Sequence, residues 1–306
     1  MSTNDHKLHL KTALKRYPHT AKLIDGEISD PHIQLDCLEI EPIYRAFAPM
    51  ARNQIYDVSE MAIVTYLQAK AYNKPLVLLP TVVAARLQQK CIVYNAKRRP
   101  MGLSDLIGAK VGVRAYTQTT GMWVRAILAG TYGIPTEKVN WVSFEEGHLA
   151  EYEDPAFSTR MPAGKNMLDM LKSGELDAAI FGNDLPTDDG IESLIPNFAQ
   201  ADQVWYEKNR FVPVNHVVVM HRAVAEKHRQ SMKQVYQLFK QGKASAKAEG
   251  KLGGDKPNAL PDGIDALRHP LEMILGYCEE QRLLPRKLTV DEIFADCIEF
   301  LGDDAH

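Results

Sequence analysis

Residues 109–144, AKVGVRAYTQTTGMWVRAILAGTYGIPTEKVNWVSF, constrain the fold more than any other part of the chain. A short apolar run, KVGV, leads into a polar turn, and a helix with an apolar face follows. Gly133-Ile134-Pro135 closes the helix and VNWVSF reads as a second strand. Strands alternating with helices predict an α/β architecture with mostly parallel sheets.

The same alternation extends in both directions. LHLKTAL and IQLDCLEI alternate apolar and polar residues, with a turn at Asp25-Gly26 between them. Pro42–Arg52 reads as helical. Tyr56, Asp57 and Val58 read as a brief extended piece, after which Ser59 caps a helix from Glu60 to about Asn73. PLVLLP is expected as a buried parallel strand and CIVYNA as another strand. Residues 145–164 read as a polar loop, and NMLDMLKSGELDAAIFG reads as a helix, a glycine turn and a strand. VPVNHVVVM is a strand like those of the first set, and residues 223–305 read as mostly helical. The rhythm restarts near residue 97 and returns near 214. Two lobes are therefore expected, residues 1–96 plus 214–306 and residues 97–213, with a ligand cleft between them at strand C-termini.

At 306 residues the chain can bury a real core, and 45% apolar and 25% charged residues are ordinary for a globular protein. A net charge of −3 gives no basic footprint for nucleic acid and no polybasic membrane anchor. No run of about 18 apolar residues exists, so no transmembrane helix is expected. MSTNDHKLHLKTAL lacks an apolar segment followed by a cleavage site, which predicts a cytoplasmic protein. Cys37, Cys91, Cys278 and Cys297 are scattered and read as reduced, mostly buried thiols, with no metal site or disulfide framework.

Three places carry candidate chemistry. The polar turn after KVGV precedes a helix starting near Thr119 or Thr120, whose N-terminus suits a carboxylate or phosphate. Thr117, Thr119 and Thr120 add hydroxyl donors, Arg114 can pair with an anion, and Tyr116 can stack on a ring or donate its O–H. The plainer reading makes a threonine the N-cap and Arg114 a surface residue. Arg125, further along the helix, reads as a snorkelling side chain or a site residue. In YDVSEMAIVTYL, Glu60 is a cleft carboxylate or a first-turn partner of the helix dipole. His216, flanked by Val217, Val218 and Val219, is a core histidine or a general acid whose ordinary pKa lies near operating pH. Asn183, after the AAIFG strand, stands where a strand end meets the cleft. Asp184, Asp188 and Asp189 match no calcium-loop spacing. GxSxG, HExxH, Walker A and GxGxxG fingerprints are absent.

The order of elements resembles type 2 periplasmic-binding-protein folds, and KSGELDAAI resembles a segment near the end of their second lobe. More specifically, GAKVGVRAYTQTTGMWVRAILAGTYGI, YDVSEMAIVTYL and FVPVNHVVV resemble the 4,5-dihydroxyphthalate decarboxylase family over about residues 31–300. FVPVNHVVV is similar to the family's Phe-Pro-Ile-Met-His strand, which sets His216 at the family's histidine. After its Pro-Val-Phe segment the family carries an Arg-x-Phe-Arg-His cluster. Aligned from Pro80, this chain has Ala85, Arg86, Leu87, Gln88 and Gln89 there, leaving Arg86 as the cation and Gln88 as a neutral hydrogen-bonding group.

The resemblance implies a cofactor-independent lyase, a decarboxylase of a hydroxylated, phthalate-like aromatic carboxylate, with aromatic compound catabolism as its setting. Its partner is a small anionic aromatic ligand, without nucleic acid or membrane, and homo-oligomer formation and metal requirement stay open. His216 and Glu60 are the catalytic candidates. Arg114, Tyr116, Thr117, Thr119, Thr120, Arg86, Gln88 and Asn183 are the binding candidates. A solute-binding protein that captures an anion by lobe closure is the alternative, and another lyase on the same fold, acting on a chorismate-like or pyrimidine compound, is a third. Turnover separates the first two.

Overall fold

A computed structural model of the chain describes residues 7–182, 184–252 and 258–306. They divide into two compact units. The first takes the described part of Met1–Ala85, Val214–Leu275 and Arg286–His306, and the second takes Arg86–Pro213 and Gly276–Pro285.

The sheet of the first unit contains β1 (Leu8–Ala13), β2 (Ile33–Leu38), β3 (Val58–Ala62), β4 (Leu76–Ala85) and the late strand β11 (Val214–His221). Their order is β2-β1-β3-β11-β4. β1 runs parallel to β2 and β3, whereas β11 is antiparallel to both β3 and β4. Central placement explains the composition of β11. Val217, Val218, Val219 and Met220 are fully buried, so the run needs no polar alternation. Helices Ser231–Ala248 and Val290–Leu301 present Val235, Phe239, Ile293 and Phe294 as buried apolar surface.

Two expectations change here. PLVLLP is buried as expected, but it is antiparallel to its neighbour, because β11 returns from far along the chain and runs against it. Ser59 is not a helix cap. Strand pairing with β1 and β11 on either side extends β3 to Ala62, and the helix Ile63–Ala71 starts only after that residue. Tertiary pairing overrides the local Ser-Glu start signal.

The second sheet contains β5 (Ile92–Asn95), β6 (Lys110–Val113), β7 (Asn140–Ser143), β8 (Ser158–Arg160), β9 (Ala178–Ile180) and β10 (Ile191–Ser193), in the order β10-β5-β9-β6-β7-β8. The strand–helix–strand unit read from residues 109–144 is β6, the helix Thr119–Tyr132 and β7, with β6 and β7 parallel. Gly133 ends the helix at φ 68°, a conformation glycine adopts without strain. The expected polar loop 145–164 contains β8, which pairs with β7. β5 joins this second sheet, antiparallel to β9 and β10.

Residues 276–285 also cluster with the second unit. The hydroxyls of Tyr116 and Tyr152 donate to the carbonyls of Gln281 (3.1 Å) and Arg282 (3.3 Å), and Tyr277 packs edge-on against Trp123 at 5.7 Å. Among the described residues, no helix is long and apolar enough to cross a membrane.

Candidate active site

β3 and β11 bring Glu60 and His216 together. The two strands keep one register, with Glu60 opposite Val218 and Ala62 opposite His216. Glu60 and His216 are thus diagonal neighbours on one face of an antiparallel pair, the spacing at which long side chains meet. On its other edge β11 slips register against β4 at three successive steps between Val214 and Val218. Such irregularities bend a strand and re-aim its side chains.

The resulting contact is short. His216 Nδ1 lies 2.6 Å from Glu60 Oε1, with Glu60 fully buried and the His216 side chain 19% exposed. Two groups absent from the sequence reading complete the carboxylate's shell. Tyr17 Oη donates to Oε1 at 2.7 Å, and the Lys15 backbone N–H donates to Oε2 at 3.1 Å. Thr20 holds this turn, accepting from the Tyr17 N–H at 2.8 Å and donating to the Lys15 carbonyl at 2.7 Å. Phe47 meets the His216 ring edge-on at 5.1 Å.

Burial pushes the Glu60 carboxyl up, but hydrogen bonds and charge from His216, then Tyr17 and Lys15, outweigh it and hold the group below its ordinary value. Glu60 is therefore a carboxylate. It fixes His216 with its proton on Nδ1, which leaves Nε2 as the ring nitrogen not held by the carboxylate. This arrangement can orient an imidazole and stabilise its charged form.

The second unit gathers the polar turn between β6 and its helix. Thr117, Thr119 and Thr120 are buried there, and Gln118 occupies the N-cap position. Arg86 Nη2 donates to Thr120 Oγ1 at 2.5 Å. The Gly182 N–H donates to Asp184 Oδ1 at 2.9 Å, after the C-terminal end of β9. Hydroxyls, a guanidinium and a helix N-terminus thus share one neighbourhood, a set suited to an anion.

The remaining candidates have other surroundings. Arg114 pairs with Glu145 at 3.1 Å. Tyr116 is fully buried, with its hydroxyl on the Gln281 carbonyl and its ring beneath the Arg125 guanidinium at 4.1 Å. Gln88 is buried, and its Nε2 donates to the Arg86 carbonyl at 3.1 Å. Gln89 accepts from Tyr132 Oη at 2.5 Å, and its N–H donates to the buried Asp202 at 3.3 Å. Asn183 lies outside the described residues. Among the described residues, no group of three or more His, Cys, Asp or Glu side chains is disposed to hold a metal ion.

No family model matches the sequence. A Comamonas testosteroni protein named 4,5-dihydroxyphthalate decarboxylase is 26% identical over 314 residues, covering 93% of this chain and 92% of that protein. A Pseudomonas putida protein of the same name is 31% identical over 187 residues, covering 57% of this chain and 70% of that protein. The chain belongs to the 4,5-dihydroxyphthalate decarboxylase family. Its fold is that of the SsuA-type binding proteins. The periplasmic aliphatic sulphonate binding protein SsuA of Escherichia coli matches with a TM-score of 0.59 at 13% identity, over 94% of this family member and 92% of SsuA. A mutant of the enzyme DszB in complex with biphenyl-2-sulfinic acid matches with a TM-score of 0.60 at 14% identity, over 98% and 99% of the two chains.

Proposed function

We propose that the chain is a decarboxylase of a hydroxylated, phthalate-like aromatic carboxylate. The observation that carries this reading is the 2.6 Å contact between His216 and the buried Glu60 carboxylate. Both curated relatives bear the name of such an enzyme.

Loss of CO₂ from an aromatic ring needs a proton at the carbon that carried the carboxylate. The C–C bond breaks, its electron pair stays with the ring carbon, and CO₂ departs. In this reading the proton comes from Nε2 of a charged His216, and Glu60 stabilises the imidazolium through Nδ1. Returning a solvent proton to Nε2 resets the site, so the reaction consumes one proton per CO₂. Tyr17 acts as a positioning residue for Glu60.

Within the second unit, Arg86, Thr117, Thr119 and Thr120 are assigned to an anionic group of the ligand.

The test is release of CO₂ from 4,5-dihydroxyphthalate by the purified protein, with 3,4-dihydroxybenzoate as the expected product. His216→Ala is expected to abolish turnover while the substrate still raises the melting temperature. Stabilisation by substrate without any CO₂ from the unaltered chain would overturn the reading in favour of a solute-binding protein.

A further inference from the structure

Arg125 has the least ordinary surroundings of any charged side chain in the second unit. It lies within the helix Thr119–Tyr132 and is fully buried. Nε donates to Gln281 Oε1 at 2.7 Å, and Nη2 donates to the Tyr116 carbonyl at 2.7 Å. The guanidinium lies over the Tyr116 ring at 4.1 Å and faces Trp141 at 5.3 Å. Nη1 has no hydrogen-bond partner among the described residues. None of these contacts is with a carboxylate, and Asp154, whose charge acts on Arg125 from farther away, is itself paired with Arg160 at 3.3 Å.

A buried cation without a counter-charge is costly, and aromatic faces and neutral acceptors offset only part of that cost. Its position adds a second point. A Cβ on Gly121 would lie 3.1 Å from Nη1, so the unpartnered nitrogen reaches the first turn of the helix. Nη2 is tied to Tyr116, which precedes Thr117 in the turn. The charge therefore lies directly behind the backbone of residues 116–121. There its field adds to that of the helix N-terminus and of Arg86.

We infer that Arg125 is a buried electrostatic anchor for the 116–121 turn, and that the anionic group of the bound ligand supplies its missing counter-charge. The guanidinium does not touch the ligand. It raises the positive potential of the turn through one layer of backbone, which selects carboxylate ligands over neutral ones of the same shape. This inference deepens the proposed binding role of the turn and rests on it, but it does not depend on turnover.

A purely structural Arg125 would act by holding Gln281, whose Nε2 donates to the Met122 carbonyl at 3.0 Å. The two roles separate experimentally. Affinities for phthalate, an anion, and catechol, a neutral ring, are measured by titration calorimetry on the full chain. Arg125→Met removes the charge, Arg125→Lys keeps one, and Gln281→Glu brings a carboxylate to Nε while leaving Arg125 in place. The expected result is phthalate binding about tenfold weaker in Arg125→Met and Gln281→Glu, with catechol within about threefold and Arg125→Lys nearer the unaltered chain. Gln281→Glu gives the guanidinium a counter-charge but loses the Nε2 donor to the Met122 carbonyl, so it is expected to fold and melt within a few degrees of the unaltered chain without ligand, and it carries the test if Arg125→Met does not fold. Equal losses for phthalate and catechol, unchanged phthalate affinity in Gln281→Glu, or no phthalate binding by the unaltered chain would each overturn the inference. CO₂ release together with unchanged phthalate affinity in the variants would overturn it and leave the decarboxylase reading standing. Charge-dependent phthalate binding without CO₂ release would do the reverse.

Discussion

Glu60→Gln is the substitution that most directly probes the proposed chemistry. In the native site Oε1 accepts from His216 Nδ1 and Tyr17 Oη, and Oε2 accepts from the Lys15 N–H. An amide keeps one oxygen and turns the other acceptor into a donor. If the oxygen stays toward His216, the Lys15 N–H faces an NH₂ group. If the amide flips, His216 and Tyr17 lose their acceptor. Either way the charge is gone, so the charged His216 that supplies the proton loses its counter-ion. A hydrogen bond to a charged group contributes about 1.5–3 kcal/mol. At about 1.4 kcal/mol per decade, that corresponds to a loss of roughly ten- to hundredfold in kcat. Because the effect falls on the protonated His216, KM for 4,5-dihydroxyphthalate should move by less than about threefold. Steady-state CO₂ release, set beside the melting temperature of the ligand-free variant, measures both. A Glu60→Gln protein that folds and keeps kcat within about threefold would refute the role given to this carboxylate. So would a fall in kcat that His216→Ala does not share.

Tyr17→Phe deletes one donor to Glu60 and leaves the ring in place. We expect a fall in kcat of about three- to tenfold, smaller than in Glu60→Gln, because Glu60 retains His216 and Lys15, and stopped assays at saturating substrate resolve it. Arg86→Met removes the guanidinium that reaches Thr120, and KM should rise about tenfold or more with kcat less affected, in a full substrate titration. His19, stacked on Tyr17 at 5.2 Å, is held neutral by burial and by the charge of Lys243, which bring its pKa down to about 4 from 6.5. Its folded value is depressed, so the unfolded chain binds the extra proton first, and stability falls as the pH drops from about 6.5 toward 4. Two and a half units correspond to about 3 kcal/mol, read as a shift of urea midpoints with pH, and His19→Phe should flatten that part of the profile.

The second unit was the more legible half. The glycine at 133, the apolar runs on either side and the polar turn before Thr119 are local signals, and β6, its helix and β7 follow them. The first unit was harder because β11 (from Val214) comes long after β4 (to Ala85) and intrudes between β3 and β4. That long-range insertion, rather than any local propensity, makes Ser59 and Glu60 strand residues and sets PLVLLP antiparallel to its neighbour. His216 and Glu60 each stand out in the sequence, but their pairing depends on register, which one sequence does not reveal. Tyr17 lacked chemical company in the sequence. Its signal was the Tyr-Pro-His-Thr turn, in which Thr20 locks the backbone that aims the phenol. Arg125 read as a snorkelling residue because its counter-elements, Gln281 and Trp141, are distant in sequence.

The position of β11 has a consequence for how the protein is made. A ribosome delivers β1 to β4 first, then the entire 86–213 segment, and only afterwards the strand that separates β3 from β4. Until residue 221 has emerged, β3 and β4 lack the strand that joins them and Glu60 has no imidazole to hold. The second unit can acquire all but its 276–285 segment in that interval, since domains fold as their residues become available. The Glu60–His216 contact therefore forms only after β11 has been made and paired with β3, and a chain truncated before residue 214 lacks it.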